Sequence, residues 1–92
     1  MAIFFYKDKD PDAVLDYQWD WSAWLSDDDS ITSYTVTVDD GLTLDTDTNT
    51  STAVTAWFSG GTIGERYDAT AHIITADGRE DDRTMRITVT ER

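Results

Sequence analysis

The chain has no cysteine, and it has only one proline and one histidine among its 92 residues. Without cysteine, neither a disulfide framework nor a thiolate metal site can form, so the fold depends on its apolar core or on neighbouring proteins. A chain of this size folds as one domain with a thin core, burying roughly 60–65% of the surface that its unfolded form exposes. We therefore expect no second domain within these 92 residues.

Basic residues are also scarce. The chain has seven lysines and arginines and 19 aspartates and glutamates, which gives a formal net charge of −12. Such a charge repels phosphate backbones and anionic lipid, which disfavours binding to nucleic acid or to a membrane surface. Apolar runs are far shorter than the ~20 residues of a membrane span, and the N-terminus lacks the features of a secretory signal. Residues 1–47 carry 12 of the 19 acidic side chains, so we expect one strongly negative end or face, suited to a basic or cation-bearing partner.

Alternation with a period of two runs through most of the chain, which indicates strands with one buried and one solvated face. The tryptophan-rich stretch KDPDAVLDYQWDWSAWL, residues 9–25, shows this clearly. Asp16 and Asp20 fall on its solvated face. The positions predicted to face the core are Leu15, Tyr17, Trp19 and Trp21.

Turn signals separate similar segments every ~8–12 residues, as in all-β domains. They include Asp39-Asp40-Gly41, Gly60-Gly61 and the hairpin dipeptide Asp77-Gly78. We predict strands within residues 3–6, 15–21, 34–38, 42–44, 54–58, 67–73 and 85–89, and a loop over the polar run 45–51. About seven short strands predict an all-β fold, a small antiparallel β-sandwich, with a small barrel as the alternative.

Two details favour an immunoglobulin-like or fibronectin type III-like sandwich. Tyr67 heads an alternating strand, as the tyrosine of a tyrosine corner does, and a tryptophan in the second strand is the usual core anchor of the fibronectin type III pattern. We predict a single β-sandwich domain over residues 9–92. Residues 1–8 are predicted to be an N-terminal apolar arm or an edge strand.

Metal-binding motifs are incomplete. Residues 8–12, with aspartate at every second position, begin like a calcium loop, but an EF-hand needs glycine and glutamate where this chain has Ala13 and Trp19. Whether the aspartates at 27–29 or 39–40 hold a cation stays open, beside the alternative of solvated loop charge and turn capping.

Catalytic motifs have even less support. Asp16 and Asp20 would lie about 13 Å apart along a strand, too far for a glycosidase pair. His72 falls on a solvated face, no nucleophile elbow is present, and the strand phases argue against carboxylates converging on it. The sequence predicts no catalytic residue, no cofactor and no metal ligand, and an enzyme is the least favoured class.

Four residues are candidates for a protein interface: Phe4, Tyr6, Trp57 and Ile74. Trp57 and Ile74 are out of phase with the buried positions, and an outward tryptophan is costly to leave exposed. Either a loop or the N-terminal arm covers them, or another protein does. Phe4 and Tyr6 belong to the apolar arm, which suits a strand buried on both sides or an arm laid against another subunit.

The stretches KDPDAVLDYQWDWSAWL, WFSGGTIGERY and ITADGREDDRTMRITVTER together resemble the phage fibre-tail adaptor proteins, short structural proteins of tailed bacteriophages. The resemblance extends over residues 9–92. The residues that carry it are Lys9-Asp10-Pro11, Asp16-Tyr17, Asp20-Trp21, Trp24-Leu25, Gly60-Gly61 before Tyr67, and Gly78-Arg79 with Asp81-Asp82-Arg83.

The resemblance implies a non-catalytic virion protein that joins tail and fibre components, or tail and head–tail connector components, in several copies around a symmetric ring. Its partners would be other virion proteins, such as tail, portal-proximal or fibre subunits. The alternative is a capsid decoration or a receptor- or carbohydrate-binding module on the virion surface. Exposed tryptophan rings along a groove would favour sugar binding, and a flat apolar patch continuous with residues 3–6 would favour assembly.

Overall fold

The computed structural model describes residues 4–91, with side chains from Tyr6 onward, and over that range it contains seven β-strands and no helix. The strands are β1 (Phe4–Lys9), β2 (Leu15–Asp20), β3 (Ile31–Val38), β4 (Leu42–Asn49), β5 (Ala53–Gly60), β6 (Arg66–Thr75) and β7 (Glu80–Val89). They form a four-stranded sheet in the order β1-β7-β6-β3 and a three-stranded sheet in the order β2-β5-β4. The predicted all-β sandwich is confirmed, and two separate sheets replace the alternative barrel.

The distribution of strands between the sheets fits the immunoglobulin-like prediction. β2, β5 and β4 share one sheet while β3, β6 and β7 share the other, which is the division of strands B, E, D and C, F, G in constant-type immunoglobulin domains. β1 pairs with β7 in parallel, whereas the other four strand pairs in the described range are antiparallel. No helix able to span a membrane occurs in this part of the chain.

The core lies between the two sheets. Tyr17 and Phe58 contact each other there, with ring centroids 6.1 Å apart. Large side chains that are fully buried include Trp19, Trp21, Phe58, Ile73, Met85 and Ile87. Burial of each contributes about 1.5–3 kcal/mol, which matters in a small domain without disulfides.

Leu15 was predicted to lie in the core, and this prediction is wrong because the side chain is 38% exposed. Leu15 has the phase of the buried positions of β2. It begins an edge strand, however, so only Phe58 of β5 lies beside it within the sheet.

The polar run 45–51 was predicted to be a loop, but its first five residues continue β4 to Asn49. The strand pairs with β5, with a register shift between Leu44 and Thr46. Four of these five side chains are exposed, and threonine is favourable on such a surface. Asp47 accepts a hydrogen bond from the Tyr34 hydroxyl at 2.6 Å, so the carboxylate of Asp47 connects β4 to β3.

The predicted tyrosine corner is present at the start of β6. The Tyr67 hydroxyl accepts a hydrogen bond from the backbone N–H of Thr62, five residues upstream, at 3.1 Å. The predicted hairpin turn is present as well: the Thr75 N–H donates to the Arg79 carbonyl at 2.9 Å, with Gly78 at φ 85°. Ile3, placed by the sequence in the first strand, lies outside the described residues, and the division at residue 8 stays a prediction.

Gly61 should be intolerant of alanine, because its φ is +95° and a Cβ would lie 2.6 Å from Val89 Cγ2 in the core. Gly64 has a similar φ of +89° with nothing within 4 Å of the added carbon. We expect Gly64→Ala to cost about 1–2 kcal/mol for the left-handed backbone. Gly61→Ala should cost about 1–3 kcal/mol more through overpacking. Urea unfolding of both variants measures the difference, and equal losses would contradict the predicted clash.

Candidate protein interface

Most of the family-like sequence motifs hold the two sheets together. The indole N–H of Trp21 donates to Asp81 Oδ2 at 2.9 Å, which connects the end of β2 to β7. Arg83 lies 5.0 Å from the centre of the Trp21 ring and donates to the Asp20 carbonyl at 2.8 Å. These residues stabilise the sandwich and are not an exposed binding surface.

The turn between β6 and β7 fastens the connection between β2 and β3 in the same way. The Arg79 guanidinium lies 3.8 Å from the centre of the Trp24 ring and donates to the Trp24 carbonyl at 3.3 Å. Asp29 is buried beside this turn, where Oδ1 accepts hydrogen bonds from the N–H groups of Ser30 and Asp77. Burial raises the pKa of Asp29, but hydrogen bonds from Thr75, Asp77 and Ser30 outweigh it, so the pKa is lowered overall. This aspartate therefore caps a turn, the role the sequence offered as the alternative to cation binding.

Lys9 and the Gly60-Gly61 pair meet at the end of β1. The Lys9 ammonium donates to the carbonyls of Gly60 and Asp10, each at 2.8 Å, and its side chain is fully buried. The Tyr17 hydroxyl donates to the Asp8 carbonyl at 3.0 Å. The Lys-Asp-Pro start thus anchors β1 across the sandwich.

The four interface candidates are not brought together. Tyr6, which is 73% exposed, pairs with Arg86 on the outer face of the four-stranded sheet, and the side chain of Phe4 lies outside the description. Ile74, 37% exposed, pairs with Glu80 on the same face. Arg86 and Glu80 are six residues apart on β7, which separates Tyr6 from Ile74 by roughly 20 Å. Trp57 belongs to the other sheet, so no single surface contains all of these residues.

Polar cross-strand pairs occupy the outer face of β6 and β7. Arg86 donates two hydrogen bonds to Asp68, at 2.8 and 3.1 Å, and these lower the pKa of the Asp68 carboxyl. Next along the strands, the hydroxyl groups of Thr70 and Thr84 are 2.8 Å apart. Each such cross-strand pair contributes modestly to the sheet. The result is a face whose charged groups largely satisfy one another.

The expectation that no carboxylates converge on His72 is wrong. Its Nδ1 contacts Asp82 and its Nε2 lies 3.0 Å from Glu80 Oε1. The antiparallel register places Asp82 directly opposite His72 and Glu80 opposite Ile74, two residues along the same face. The phase of one strand does not show which residues the neighbouring strand presents, so the sequence argument missed this cluster.

The two carboxylates favour the protonated form of His72. The hydrogen bond that His72 donates to Asp82 raises the pKa of His72, burial lowers it, and the charges of Asp82 and Glu80 raise it further. Both ring nitrogens contact carboxylates, so neither is free to take a proton from a nucleophile. The cluster borders a shallow open pocket of about 220 Å³. Within residues 4–91, no group of three or more histidine, aspartate or glutamate side chains is arranged to hold a metal ion.

Stability should therefore depend on pH through His72. A raised pKa in the folded state means that the stabilisation is complete below the unfolded pKa near 6.5 and is lost as pH rises through the folded pKa. We expect His72→Gln to cost at most about 1 kcal/mol at pH 6, because the pair is partly exposed. At pH 9 the variant should match the parent. Urea unfolding at both pH values checks this, and a loss independent of pH would contradict it.

Trp57 occupies the outer face of the three-stranded sheet, on its central strand. The side chain is half-buried, with Asp16 of β2 and Thr46 of β4 as its register partners. The prediction that Trp57 points away from the core is consistent with this register. We call the surface the Trp57 face, and its outward residues around Trp57 are Asp16, Gln18, Asp45, Thr46 and Thr55.

The Trp57 face is strongly acidic. Its aspartates are Asp16, Asp20 and Asp45, whereas Asp47 contacts Tyr34 of the other sheet. The three strands that form the face contain no lysine or arginine. Asp45 accepts a hydrogen bond from Ser59, and Gln18 reaches Thr55 at 3.4 Å, so the polar groups form a shallow network beside the indole. Part of the negative charge expected from the uneven distribution therefore lies on this sheet, around an outward tryptophan.

Comparison with known proteins agrees with the sequence motifs. No curated protein matches the chain. One family model, described as Podophage GP4 fiber-tail adaptor protein gp77, matches residues 9–88. This range begins at the buried Lys9 and ends within β7, so it includes the contacts of Trp21 with Asp81, of Trp24 with Arg79 and of Lys9 with Gly60. The chain thus belongs to the podophage fibre-tail adaptor family.

Proposed function

We propose that the protein is a non-catalytic virion adaptor that joins tail and fibre components through protein–protein contacts. The observation that carries this proposal is the family match over residues 9–88, which covers nearly the whole sandwich. We therefore assign the role in the family's description to the whole sandwich domain rather than to one segment of it.

The chemistry of the surface supports a binding role without catalysis. His72, the only histidine, is occupied by two carboxylates. Asp16 and Asp20 lie four residues apart on an extended strand, which is about 13 Å and too far for paired acid–base chemistry. The buried charged groups Lys9 and Asp29 serve the fold.

The proposed partners are other virion proteins, namely tail, portal-proximal or fibre subunits, with several copies of this chain around a symmetric ring. The net charge of −12 supports contacts with proteins rather than with DNA or anionic lipid. A more specific version of the proposal is that the chain joins the tail to head–tail connector components.

The alternative, a decoration or carbohydrate-binding module, has less support. Trp19 and Trp21 are fully buried, and Trp24 is covered by Arg79. Trp57 alone of the four tryptophans offers an outward ring, so no row of rings lines a groove. A sheet face with one tryptophan is better suited to a protein partner.

A phage carrying a nonsense mutation in this gene tests the proposal. In a non-suppressing host, we expect particles with filled heads and tails that lack fibres by electron microscopy, and plasmid-supplied chain should restore them. Normal fibre number on particles that lack the chain by mass spectrometry would overturn the adaptor role. Such particles that keep fibres but no longer adsorb to cells would favour the carbohydrate-binding alternative.

A further inference from the structure

Two of the four tryptophans are covered by arginines of the same chain. Arg79 lies 3.8 Å from the Trp24 ring and Arg83 lies 5.0 Å from the Trp21 ring. The second case includes a carboxylate, because Asp81 is 3.5 Å from Arg83 Nε and also accepts the Trp21 indole N–H. An aromatic face attracts a guanidinium, and a carboxylate beside it fixes the guanidinium plane.

Trp57 has the tryptophan and the carboxylate of this arrangement but no arginine. Asp16 is its direct cross-strand neighbour, and Asp45 lies on the same outer face near Ser59. None of the three strands carries a basic residue. The ion pairs among the described residues all belong to β6 and β7 of the other sheet, and none involves Asp16. Asp45 interacts electrostatically with the buried Lys9 ammonium, so Asp16 is the carboxylate of this face with no cation described beside it.

We infer that the Trp57 face docks an arginine-bearing surface of another virion protein, whose guanidinium lies over Trp57 and pairs with Asp16. This inference rests on the proposed function and specifies the chemistry of the partner. Tryptophan and arginine are the residue types most enriched at the energetic centres of interfaces. A surrounding acidic surface favours a basic partner and accelerates its encounter.

A second copy of this chain is a poorer occupant, since two acidic faces would repel each other. DNA is repelled for the same reason. The flat outer surface of a sheet also suits an extended or flat protein segment better than a small ligand, which needs concavity.

Photo-crosslinking in assembled particles tests this surface directly. Benzoylphenylalanine placed at Thr46, exposed and paired with Trp57, should crosslink to a tail or fibre subunit within a peptide that contains arginine. The matched position is Thr35, exposed and paired with His72 on the opposite sheet, where we expect at least tenfold less product.

The possible results separate this inference from the proposed function. Crosslinks to tail or fibre subunits from Thr35 but not from Thr46 would leave the adaptor role intact and overturn the inference. A Thr46 product with a peptide lacking arginine and lysine, with a second copy, or with glycan would also overturn it. Absence of the chain from particles would overturn the proposed function itself.

Affinity for the crosslinked subunit supplies the second test. Loss of a tryptophan at an energetic centre weakens binding by about 30-fold or more, which we expect for Trp57→Ala. Ile63→Ala, at an exposed apolar residue in the loop after β5, should change affinity less than twofold. Asp16→Asn should weaken binding and reduce its salt dependence, whereas the same change at an exposed aspartate of a loop, Asp28→Asn, should do neither. Trp57→Phe keeps an aromatic ring at this position and can be measured in its place if Trp57→Ala does not fold. Unchanged affinity of a folded Trp57→Ala variant would overturn the inference.

Discussion

Replacing Trp21 by alanine is expected to lower the free energy of unfolding by about 3–5 kcal/mol. That is a large part of the 5–15 kcal/mol typical of small domains, so we expect a variant that is substantially unfolded at 37 °C. The side chain is fully buried, and its indole N–H donates to Asp81 at 2.9 Å. Its loss removes core volume, leaves Asp81 without this donor and takes away the ring under Arg83.

A matched pair of phenylalanine variants separates the hydrogen bond from the volume. Trp21→Phe and Trp19→Phe remove the same atoms from fully buried positions. The Trp19 indole nitrogen has no hydrogen-bond partner among the described residues, so only Trp21→Phe breaks a bond. We expect Trp21→Phe to cost about 1–3 kcal/mol more, measured by circular dichroism during urea unfolding. Equal costs would show that the bond to Asp81 contributes nothing net.

Local alternation was enough to predict the strand that carries these tryptophans. Tyr17, Trp19 and Trp21 share one phase and are buried, while Asp16 and Asp20 have the other phase and are exposed. The same rule failed for Leu15, because phase gives the direction of a side chain but not how many neighbours lie beside it. It also missed the second half of β4, whose alternation is between polar residues and so leaves no hydrophobic signal.

Contacts between strands were beyond the sequence. His72 and Asp82 are ten residues apart and Trp21 and Asp81 are 60 apart. Each pair forms only because of register or sheet stacking. For this reason, the sequence showed the family-like motif that contains Asp81, Asp82 and Arg83 but did not show what these residues contact in the fold.

The candidate interface shows the same limit. The outward direction of Trp57 follows from its phase on β5, and Ile74 was identified in the same way. That Trp57 lies on one sheet while Tyr6 and Ile74 lie on the other depends on the strand order, which is set by non-local pairing. The acidic character of the Trp57 face likewise arises because β2 and β4, both from the acidic half of the chain, flank β5.

Lys9 is the second residue whose replacement should have a large effect, and we expect Lys9→Ala to cost about 2–4 kcal/mol. A lysine stem buried along apolar surface contributes packing like a hydrophobic side chain, at about 0.8 kcal/mol per methylene. Lys9 is fully buried at the end of β1, and its ammonium donates to the Gly60 and Asp10 carbonyls. Lys7→Ala, at an exposed position of the same strand, should stay within about 0.5 kcal/mol of the parent.

Lys9→Met distinguishes the stem from the charge. Burial lowers the pKa of Lys9 despite the opposing charges of Asp10, Asp12 and Asp45, which means that the folded environment disfavours the ammonium relative to water. Methionine keeps most of the stem and removes that penalty, while the Gly60 carbonyl loses its donor. We therefore expect Lys9→Met to cost less than about 1.5 kcal/mol. Both variants are compared by urea unfolding at pH 7, and a methionine variant as unstable as the alanine variant would show that the ammonium, rather than its stem, fastens β1 to the sandwich.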